Sequence, residues 1–196
     1  MARPDVRDTR IPEILDAAAR VFSKDGVDGS SMNQIARESG ISKATIYHYF
    51  KSKNEIVQKL VSRLFEEDVP EIEAIVNSKR PVVLRILDYS DGLCELLERN
   101  SQLFPILAEF KAIGARSESV RQVLRGFFER YILVFEKVLE QGIQRQELVP
   151  DLSPRPCATA LVALIEGCIL LSQDTGMALR PLLTDSVAIF LQGLEV

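Results

Sequence analysis

Side chains that bind transition metals or form disulfide bonds are scarce in this chain. Its 196 residues include one histidine, three cysteines and no tryptophan. The cysteine count is odd, and the three residues are widely spaced with no CxxC pair: Cys94, Cys157 and Cys168. Neither a disulfide framework nor a zinc site is therefore predicted. A reducing, cytoplasmic location is the simplest interpretation. We expect no metal ion and no cofactor.

Sequence signatures of catalysis and of membrane insertion are also missing. The chain has no GxSxG sequence and no glycine-rich phosphate loop, which leaves an all-α enzyme as a less favoured alternative. The first residues lead into a charged amphipathic helix, so no signal peptide is expected. The longest apolar run, from Cys157 to Leu171, is interrupted by Glu166 and is shorter than the ~20 residues that cross a bilayer. A soluble protein with no membrane association is predicted.

Charge is divided unevenly along the chain. The formal net charge is −4, with 24 Lys and Arg against 28 Asp and Glu. Residues 1–63 carry 11 basic against 8 acidic side chains, a net of +3, and residues 64–196 carry 13 against 20, a net of −7. Affinity for a polyanion such as DNA is therefore expected in the N-terminal third.

Apolar residues recur at helical spacing along nearly the whole chain, and almost no segment alternates as a strand does. An all-α fold is predicted. A first helix should cover about 9–24 and end at Gly26, and a fourth should begin at Ser52 and kink or stop early at Pro70. The later helices are predicted at approximately 83–97, 103–113, 118–143, 155–173 and 179–194.

The segment 31–50 carries the signals of two short helices joined by a tight turn. Ser31 is placed to cap the first helix, and Gln34 is placed to return the bond. Gly40 supplies the positive-φ position of the turn, and Ser42 caps the second helix. A capped short helix with exposed polar and aromatic groups is the form in which a helix-turn-helix presents its recognition helix to a major groove.

This segment, together with the residues on both sides of it, resembles the tetracycline-repressor (TetR/AcrR) family of bacterial regulators. The resemblance extends from Thr9 to about Leu64 and includes 14–22, Gly26 and the continuous stretch 40–56. A match of this length is more specific than a helix-turn-helix pattern alone.

The resemblance implies an N-terminal three-helix head at 8–68, with its helix-turn-helix at 31–50, and a larger helical ligand-binding and dimerisation domain at 69–196. The function that it implies is that of a homodimeric repressor, released from a palindromic operator by a small hydrophobic effector. A helical protein-interaction adaptor with a vestigial DNA-binding head remains the main alternative.

The resemblance also implies which side chains contact double-stranded DNA. Lys43 matches a position that reaches a base edge or a phosphate, with a solvated charge as the alternative. Tyr47 matches a position that touches phosphates or thymine methyls, and Ser42 is either a phosphate contact or only a cap. The complete predicted set is Ser42, Lys43, Thr45, Tyr47, His48 and Lys53, the last as a phosphate clamp at the start of the fourth helix.

A cavity between the middle helices is the implied effector site, with ordinary core packing as the alternative for each residue. Glu166 lies inside an apolar helix and must find water, a hydrogen-bond partner or a cationic ligand, since an unpaired buried charge is costly. A polar notch at the dimer seam, bonded to an arginine, is the other interpretation of Glu166. The predicted lining consists of Cys94, Leu97, Phe104, Phe110, Phe127, Phe128, Tyr131 and Glu166.

The last two predicted helices are apolar over a wider arc than one buried stripe requires. In the resembling family, two such helices from each subunit form a four-helix dimer interface. The alternative is a central helix that is surrounded by its own chain. The predicted interface consists of Leu161, Ile165, Ile169, Val187, Phe190 and Leu191.

Overall fold

The computed structural model describes residues 6–195, except for the side chains of residues 6–9, 64, 102 and 104. Across this range the chain forms nine α-helices, a short 3-10 turn at Ser101–Leu103 and a single bridge between Leu148 and Glu195. The all-α prediction is confirmed. The helices are α1 (Val6–Gly29), α2 (Met32–Ser39), α3 (Lys43–Tyr49), α4 (Lys53–Asn77), α5 (Val82–Arg99), α6 (Phe104–Gly114), α7 (Glu118–Gln144), α8 (Pro154–Thr175) and α9 (Leu179–Gln192).

Helix α4 continues through Pro70 to Asn77, so the early stop, which was one of the two predicted alternatives at Pro70, does not occur. Proline removes one helical hydrogen bond and costs about 3 kcal/mol inside a helix. Apolar side chains on both sides of Pro70 offset this cost, since Phe65, Ile72 and Ile75 are all buried. The other helices from α5 onwards lie close to their predicted bounds.

The chain divides into two compact units. Unit 1 comprises Met1–Glu66 with Asn100–Leu124, and unit 2 comprises Glu67–Arg99 with Arg125–Val196. This grouping differs from the predicted division at residue 68. The reason is that α6 packs against α1, so residues 100–124 join the N-terminal helices.

The core of unit 1 is formed by apolar residues at helical spacing on α1, together with one face of each short helix. Ile14 and Phe22 of α1 are at most 1% exposed, as are Ile35 of α2 and Ile46 of α3. The regular part of α1 ends at Gly26, whose φ of 72° is a conformation that glycine adopts readily. The predicted end of the first helix is thereby confirmed.

In unit 2, α5 packs against α9 and α9 against α8. The buried Arg85 of α5 connects the turn after α4 to α7. Its Nη1 donates to the carbonyl oxygens of Ile75 (2.8 Å) and Ser78 (3.2 Å) and to Oε1 of Gln141 (2.7 Å). Carbonyls at a helix C-terminus lack intrahelical donors, and Arg85 satisfies them at the end of α4.

Candidate DNA-binding and effector sites

Helix α3 is held in place by polar caps at its start and by an apolar face. The Ser42 hydroxyl accepts a hydrogen bond from the Thr45 amide at 3.1 Å, and the two side-chain oxygens lie 2.8 Å apart. Gly40, with φ of 67°, forms the left-handed turn that separates α2 from α3. Ile46 is fully buried, so the opposite side of α3 faces solvent. The predicted helix-turn-helix geometry is confirmed.

The exposed side of α3 carries four of the six predicted DNA-contacting residues. Ser42, Lys43, Tyr47 and His48 are exposed, with Tyr47 at 45%, and Thr45 is half-buried. The Lys43 ammonium lies 5.9 Å from the centroid of the Tyr47 ring, within the range of a cation–π interaction. Helix α3 therefore exposes a lysine, an aromatic ring and an imidazole. These groups can contact a DNA groove through positive charge and through ring surfaces.

Lys53, the predicted phosphate clamp, is engaged by backbone groups within unit 1. Its ammonium donates to the backbone carbonyl oxygens of Val27, Asp28 and Ser30, at 2.9 Å for Ser30 and 3.3 Å for Asp28. A lysine ammonium has three donors, and these three carbonyls engage all of them. The predicted role as a phosphate clamp is not supported by this geometry. Lys53 instead ties α4 to the turn between α1 and α2.

Glu109 of α6 forms a second tie within unit 1, which no pattern in the sequence predicted. Its Oε2 accepts a hydrogen bond from the Val27 amide at 2.8 Å. The preceding Gly26 leaves room for this carboxylate, because a Cβ at Gly26 would lie 3.3 Å from Oε1 of Glu109. Helix α6 is therefore bonded to the segment that leads from α1 into the helix-turn-helix.

A buried carboxylate lies at the centre of unit 2. Asp68 of α4 is 2% exposed, and its Oδ2 accepts hydrogen bonds from Tyr89 of α5 at 2.8 Å and from Tyr131 of α7 at 2.6 Å. Burial raises the pKa of Asp68, while the hydrogen bonds from Tyr131 and Tyr89 act in the opposite direction. Burial and the nearby Asp68 likewise raise the pKa of both tyrosines.

Sequence reasoning missed Asp68, although a signal for it exists. Asp68, Ile72 and Ile75 follow one another at helical spacing, which places the carboxylate on the buried stripe of α4.

The predicted effector-site residues are only partly brought together. Tyr131 and Glu166 lie close enough to interact electrostatically, and Glu166 is half-buried. Phe127 and Phe128 are half-buried on the same helix as Tyr131, whereas Phe110 is fully buried within unit 1. The side chain of Phe104 lies outside the described residues.

Two further predicted lining residues of unit 2 lie on α5. Cys94 and Leu97 of α5 are buried, and the charge environment of Cys94 is set by Arg180 of α9 and by Asp91 and Glu98. Burial raises the pKa of the Cys94 thiol to about 11. The thiol therefore stays protonated at neutral pH, and Cys94 serves as a packing residue between α5 and α9.

The predicted dimer interface consists mostly of residues that are buried within a single chain. Five of its six residues are at most 7% exposed within a single chain: Leu161, Ile165, Ile169, Val187 and Leu191. They pack α8 and α9 into the core of their own unit, and only Phe190 is half-buried. The second apolar face of these helices instead exposes Leu170 (57%), Leu171 (45%) and Ile189 (70%).

This second face contains a groove of about 500 Å³. Its lining consists of Ala163, Leu164, Gly167, Cys168, Leu170, Leu171, Asp174, Leu182 and Ser186. The predicted interface residues therefore lie mostly on the face that the chain buries itself, and the opposite face of the same two helices carries exposed apolar side chains.

Helix α8 is long and apolar enough to cross a membrane by composition alone, with 22 residues and a mean hydropathy of 1.6. This length exceeds the apolar run recognised in the sequence. A core helix of a soluble protein meets the same criterion, and α8 places its buried stripe against α9. One such helix is weak support for membrane insertion.

Comparisons with known proteins cover both parts of the chain. The family model described as bacterial regulatory proteins, tetR family, matches residues 14–60, and the model described as tetracyclin repressor-like, C-terminal domain, matches residues 105–178. Both models describe regulators of transcription of the same family.

Individual relatives agree with these matches. The chain is 29% identical to the HTH-type transcriptional regulator YfiR of Bacillus subtilis over 145 residues, 74% of this chain and 70% of YfiR. It is 29% identical to the nicotine-responsive transcriptional repressor HdnoR of Paenarthrobacter nicotinovorans over 167 residues, 82% of each chain. Its fold is similar to that of SmeT, the repressor of the Stenotrophomonas maltophilia multidrug efflux pump SmeDEF, with a TM-score of 0.80, 21% identity, and coverage of 95% and 90%.

Proposed function

The chain belongs to the tetR family of bacterial regulatory proteins, and we propose that it is a homodimeric, cytoplasmic repressor that a small molecule releases from a palindromic operator. The observation that carries this proposal is the exposed side of α3, where Lys43, Tyr47 and His48 project from a helix that is capped and anchored. A helix of this kind enters a major groove, and its flanking contacts to phosphates fix its register.

The charge distribution supports the assignment of DNA binding to unit 1. The net charge of +3 over residues 1–63 favours contact with phosphates, whereas the remaining chain carries −7. Ser42, Lys43, Thr45, Tyr47 and His48 remain the proposed contact residues. Lys53 is proposed to act indirectly, by holding the turn before α2.

A two-fold dimer is proposed to form through the exposed face of α8 and α9. Isologous packing of this face would cover Leu170, Leu171 and Ile189, which a monomer leaves in contact with water. Two copies of α3 would then read half-sites about 34 Å apart, which is one turn of B-DNA. The operator is therefore expected to have two-fold symmetry.

The effector is proposed to bind in unit 2. HdnoR, which responds to nicotine, shows that a relative of this chain is a ligand-controlled repressor. A ligand shifts a protein between two states only through its preference for one of them, so a tenfold release of DNA requires about 1.4 kcal/mol of differential binding. The tie between Glu109 and Val27 offers one route by which a shift of α6 reaches the helix-turn-helix.

Gel retardation with DNA from upstream of the protein's own gene tests the proposal. We expect specific retardation that survives excess random duplex, and a loss of affinity of at least about tenfold for Lys43→Ala and for Tyr47→Ala. Lys79→Ala is the matched control, because Lys79 is an exposed lysine in the turn between α4 and α5. Absence of any sequence preference would favour the adaptor alternative.

Light scattering on the purified protein tests the dimer separately. We expect a mass twice the 22.0 kDa of the chain, and dissociation in Ile189→Lys. Leu84→Lys is the control, since Leu84 is an exposed leucine of α5 outside this face, at 42% exposure. A wild-type monomer, or equal dissociation in both variants, would contradict the proposed interface.

A further inference from the structure

The carboxylate of Asp68 is only half satisfied by the protein. Both tyrosine hydroxyls donate to Oδ2, at 2.8 Å from Tyr89 and 2.6 Å from Tyr131. The other oxygen, Oδ1, is buried and has no hydrogen-bond partner among the described residues. A buried carboxylate oxygen without a donor is costly, and native proteins rarely leave one.

The surroundings of Asp68 add negative charge. Glu71 on the same helix acts on Asp68, and Glu166 of α8 acts on both tyrosines that bond to it. Arg130 lowers the pKa of Tyr131 by its positive charge, and its guanidinium is bonded to Glu73 at the surface. The charges that act on Asp68 and on its two tyrosine partners are therefore mainly negative among the described residues.

The same site is rich in aromatic rings. The hydroxyl bonds place Tyr89 and Tyr131 beside the carboxylate, and the Tyr89 ring packs edge-on against Phe135, with centroids 5.6 Å apart. Aromatic rings attract organic cations such as alkylammonium groups and stabilise them in apolar surroundings. A hydrated inorganic cation, by contrast, prefers several oxygen ligands.

We propose that Asp68 is the anchor for a positively charged nitrogen of the effector, an ammonium or amidinium group carried on an apolar body. Oδ1 accepts the hydrogen bond of this cation, Tyr89 and Tyr131 hold the carboxylate through Oδ2, and Glu166 adds to the attraction. This inference rests on the proposed function, and it narrows the expected hydrophobic effector to a cationic one. Asp68 is the residue that distinguishes such a ligand from a neutral molecule of the same shape.

Calorimetric titration of the full-length protein with three matched probes tests the inference. The probes are 4-phenylbutylamine, 4-phenylbutanol and 4-phenylbutanoate, which share one apolar body and are cationic, neutral and anionic at pH 7. We expect the amine to bind at least about tenfold more tightly than the alcohol, and the carboxylate to bind least. Equal affinities, tighter binding of the alcohol or carboxylate, or no binding of the amine would overturn the inference.

Asp68→Asn assigns the preference to this residue. The amide oxygen of asparagine can accept both tyrosine hydroxyls as Oδ2 does, so the fold should persist while the charge is removed. We expect the amine to lose its advantage over the alcohol in Asp68→Asn and to keep it in Asp151→Asn, a matched change at an exposed residue of the loop before α8. A cation preference that survives Asp68→Asn would overturn the inference.

Tyr131→Phe provides a second variant should Asp68→Asn fail to fold. It removes one donor from Oδ2 and keeps the negative charge, so the amine should still bind more tightly than the alcohol. Loss of the preference in folded Tyr131→Phe would contradict the role of Asp68. Operator binding by ligand-free protein is measured in parallel: its absence contradicts the proposed repressor, whereas intact DNA binding without an amine preference contradicts only this inference.

Discussion

Units 1 and 2 are both helical and both well packed, but their functional residues are assembled differently. In unit 1 the proposed DNA contacts lie on α3, and the caps and the turn that position α3 are its neighbours in sequence. In unit 2, Asp68 is bonded to tyrosines 21 and 63 residues away. The proposed DNA reading is therefore local in sequence, whereas the proposed effector recognition depends on tertiary structure.

Core truncation should affect both units equally, since packing is what they share. Phe22 of unit 1 is 1% exposed and Phe135 of unit 2 is fully buried. We expect Phe22→Ala and Phe135→Ala each to lower the free energy of unfolding by about 3–5 kcal/mol, because each leaves a cavity. Denaturant unfolding measures this loss. His48→Ala, at an exposed position, should change the free energy by less than about 0.5 kcal/mol. If the free energy of unfolding fell only slightly in one of the two phenylalanine variants, the expectation of equal effects in the two units would be wrong.

The tie from α6 is the non-local feature of unit 1 and should have an intermediate effect. Glu109→Ala removes the carboxylate that accepts from the Val27 amide, and we expect the free energy of unfolding to fall by about 1–2 kcal/mol. Glu140→Ala removes the same side chain from an exposed position of α7 and serves as the control. Equal stability of the two variants would show that the tie contributes nothing.

Unit 2 should show a pH dependence that arises from its buried carboxylate. Burial raises the pKa of Asp68, and the groups that act on it or on its partners are Tyr89, Tyr131, Glu71, Glu166 and Arg130. A carboxyl group whose pKa is raised on folding stabilises the fold below its unfolded pKa of about 4, and this contribution is lost as the pH rises through the folded pKa. The Tm of Asp68→Asn relative to wild type should therefore rise between pH 4 and pH 7.

Thermal unfolding of both proteins across this pH range measures the difference. Asp151→Asn, whose side chain is exposed, should follow the wild-type curve throughout. A Tm difference for Asp68→Asn that stays constant with pH would mean that Asp68 does not titrate differently in the folded and unfolded chains.

Surface ion pairs should have the smallest effect. Arg20 and Glu38 of unit 1 form a 2.7 Å pair with side chains 55% and 43% exposed. Exposed pairs contribute about 0.2–1 kcal/mol, and salt screens them. Arg20→Ala should therefore lower the free energy of unfolding by less than about 1 kcal/mol in denaturant titration. A loss as large as that of Glu109→Ala would reverse the expected order.

Much of the fold was predictable from the sequence because its signals are local. The helix-turn-helix follows from Ser31, Gly40 and Ser42. The two serines accept hydrogen bonds from backbone amides three residues later, and Gly40 provides the left-handed turn between the helices. The later helices follow from apolar spacing and from breaks at proline and glycine. The sequence alone does not exclude an early stop at Pro70. Burial of apolar residues on both sides of Pro70 compensates for the lost hydrogen bond, and this burial exists only in the folded chain.

The predicted functional details that the structure does not support are those that depend on distant contacts. Lys53 looked like a phosphate clamp because the three carbonyls that engage it lie more than 20 residues earlier in the chain. The stripe that includes Leu161 and Ile165 looked like a dimer interface because apolar spacing does not distinguish the face buried by the same chain from the face left exposed. Asp68 was missed because burial, not residue type, makes it a candidate site.

The salt dependence of operator binding tests most directly the claim that unit 1 reads DNA through α3. Fluorescence anisotropy of the full-length protein with a labelled operator, and with a scrambled duplex as control, gives the association constant at each salt concentration. We predict preference for the operator and a linear fall of log K with log salt, amounting to about 10³-fold between 50 and 200 mM if each dimer contacts about six phosphates. A flat salt response, or equal affinity for the two duplexes, would contradict the account.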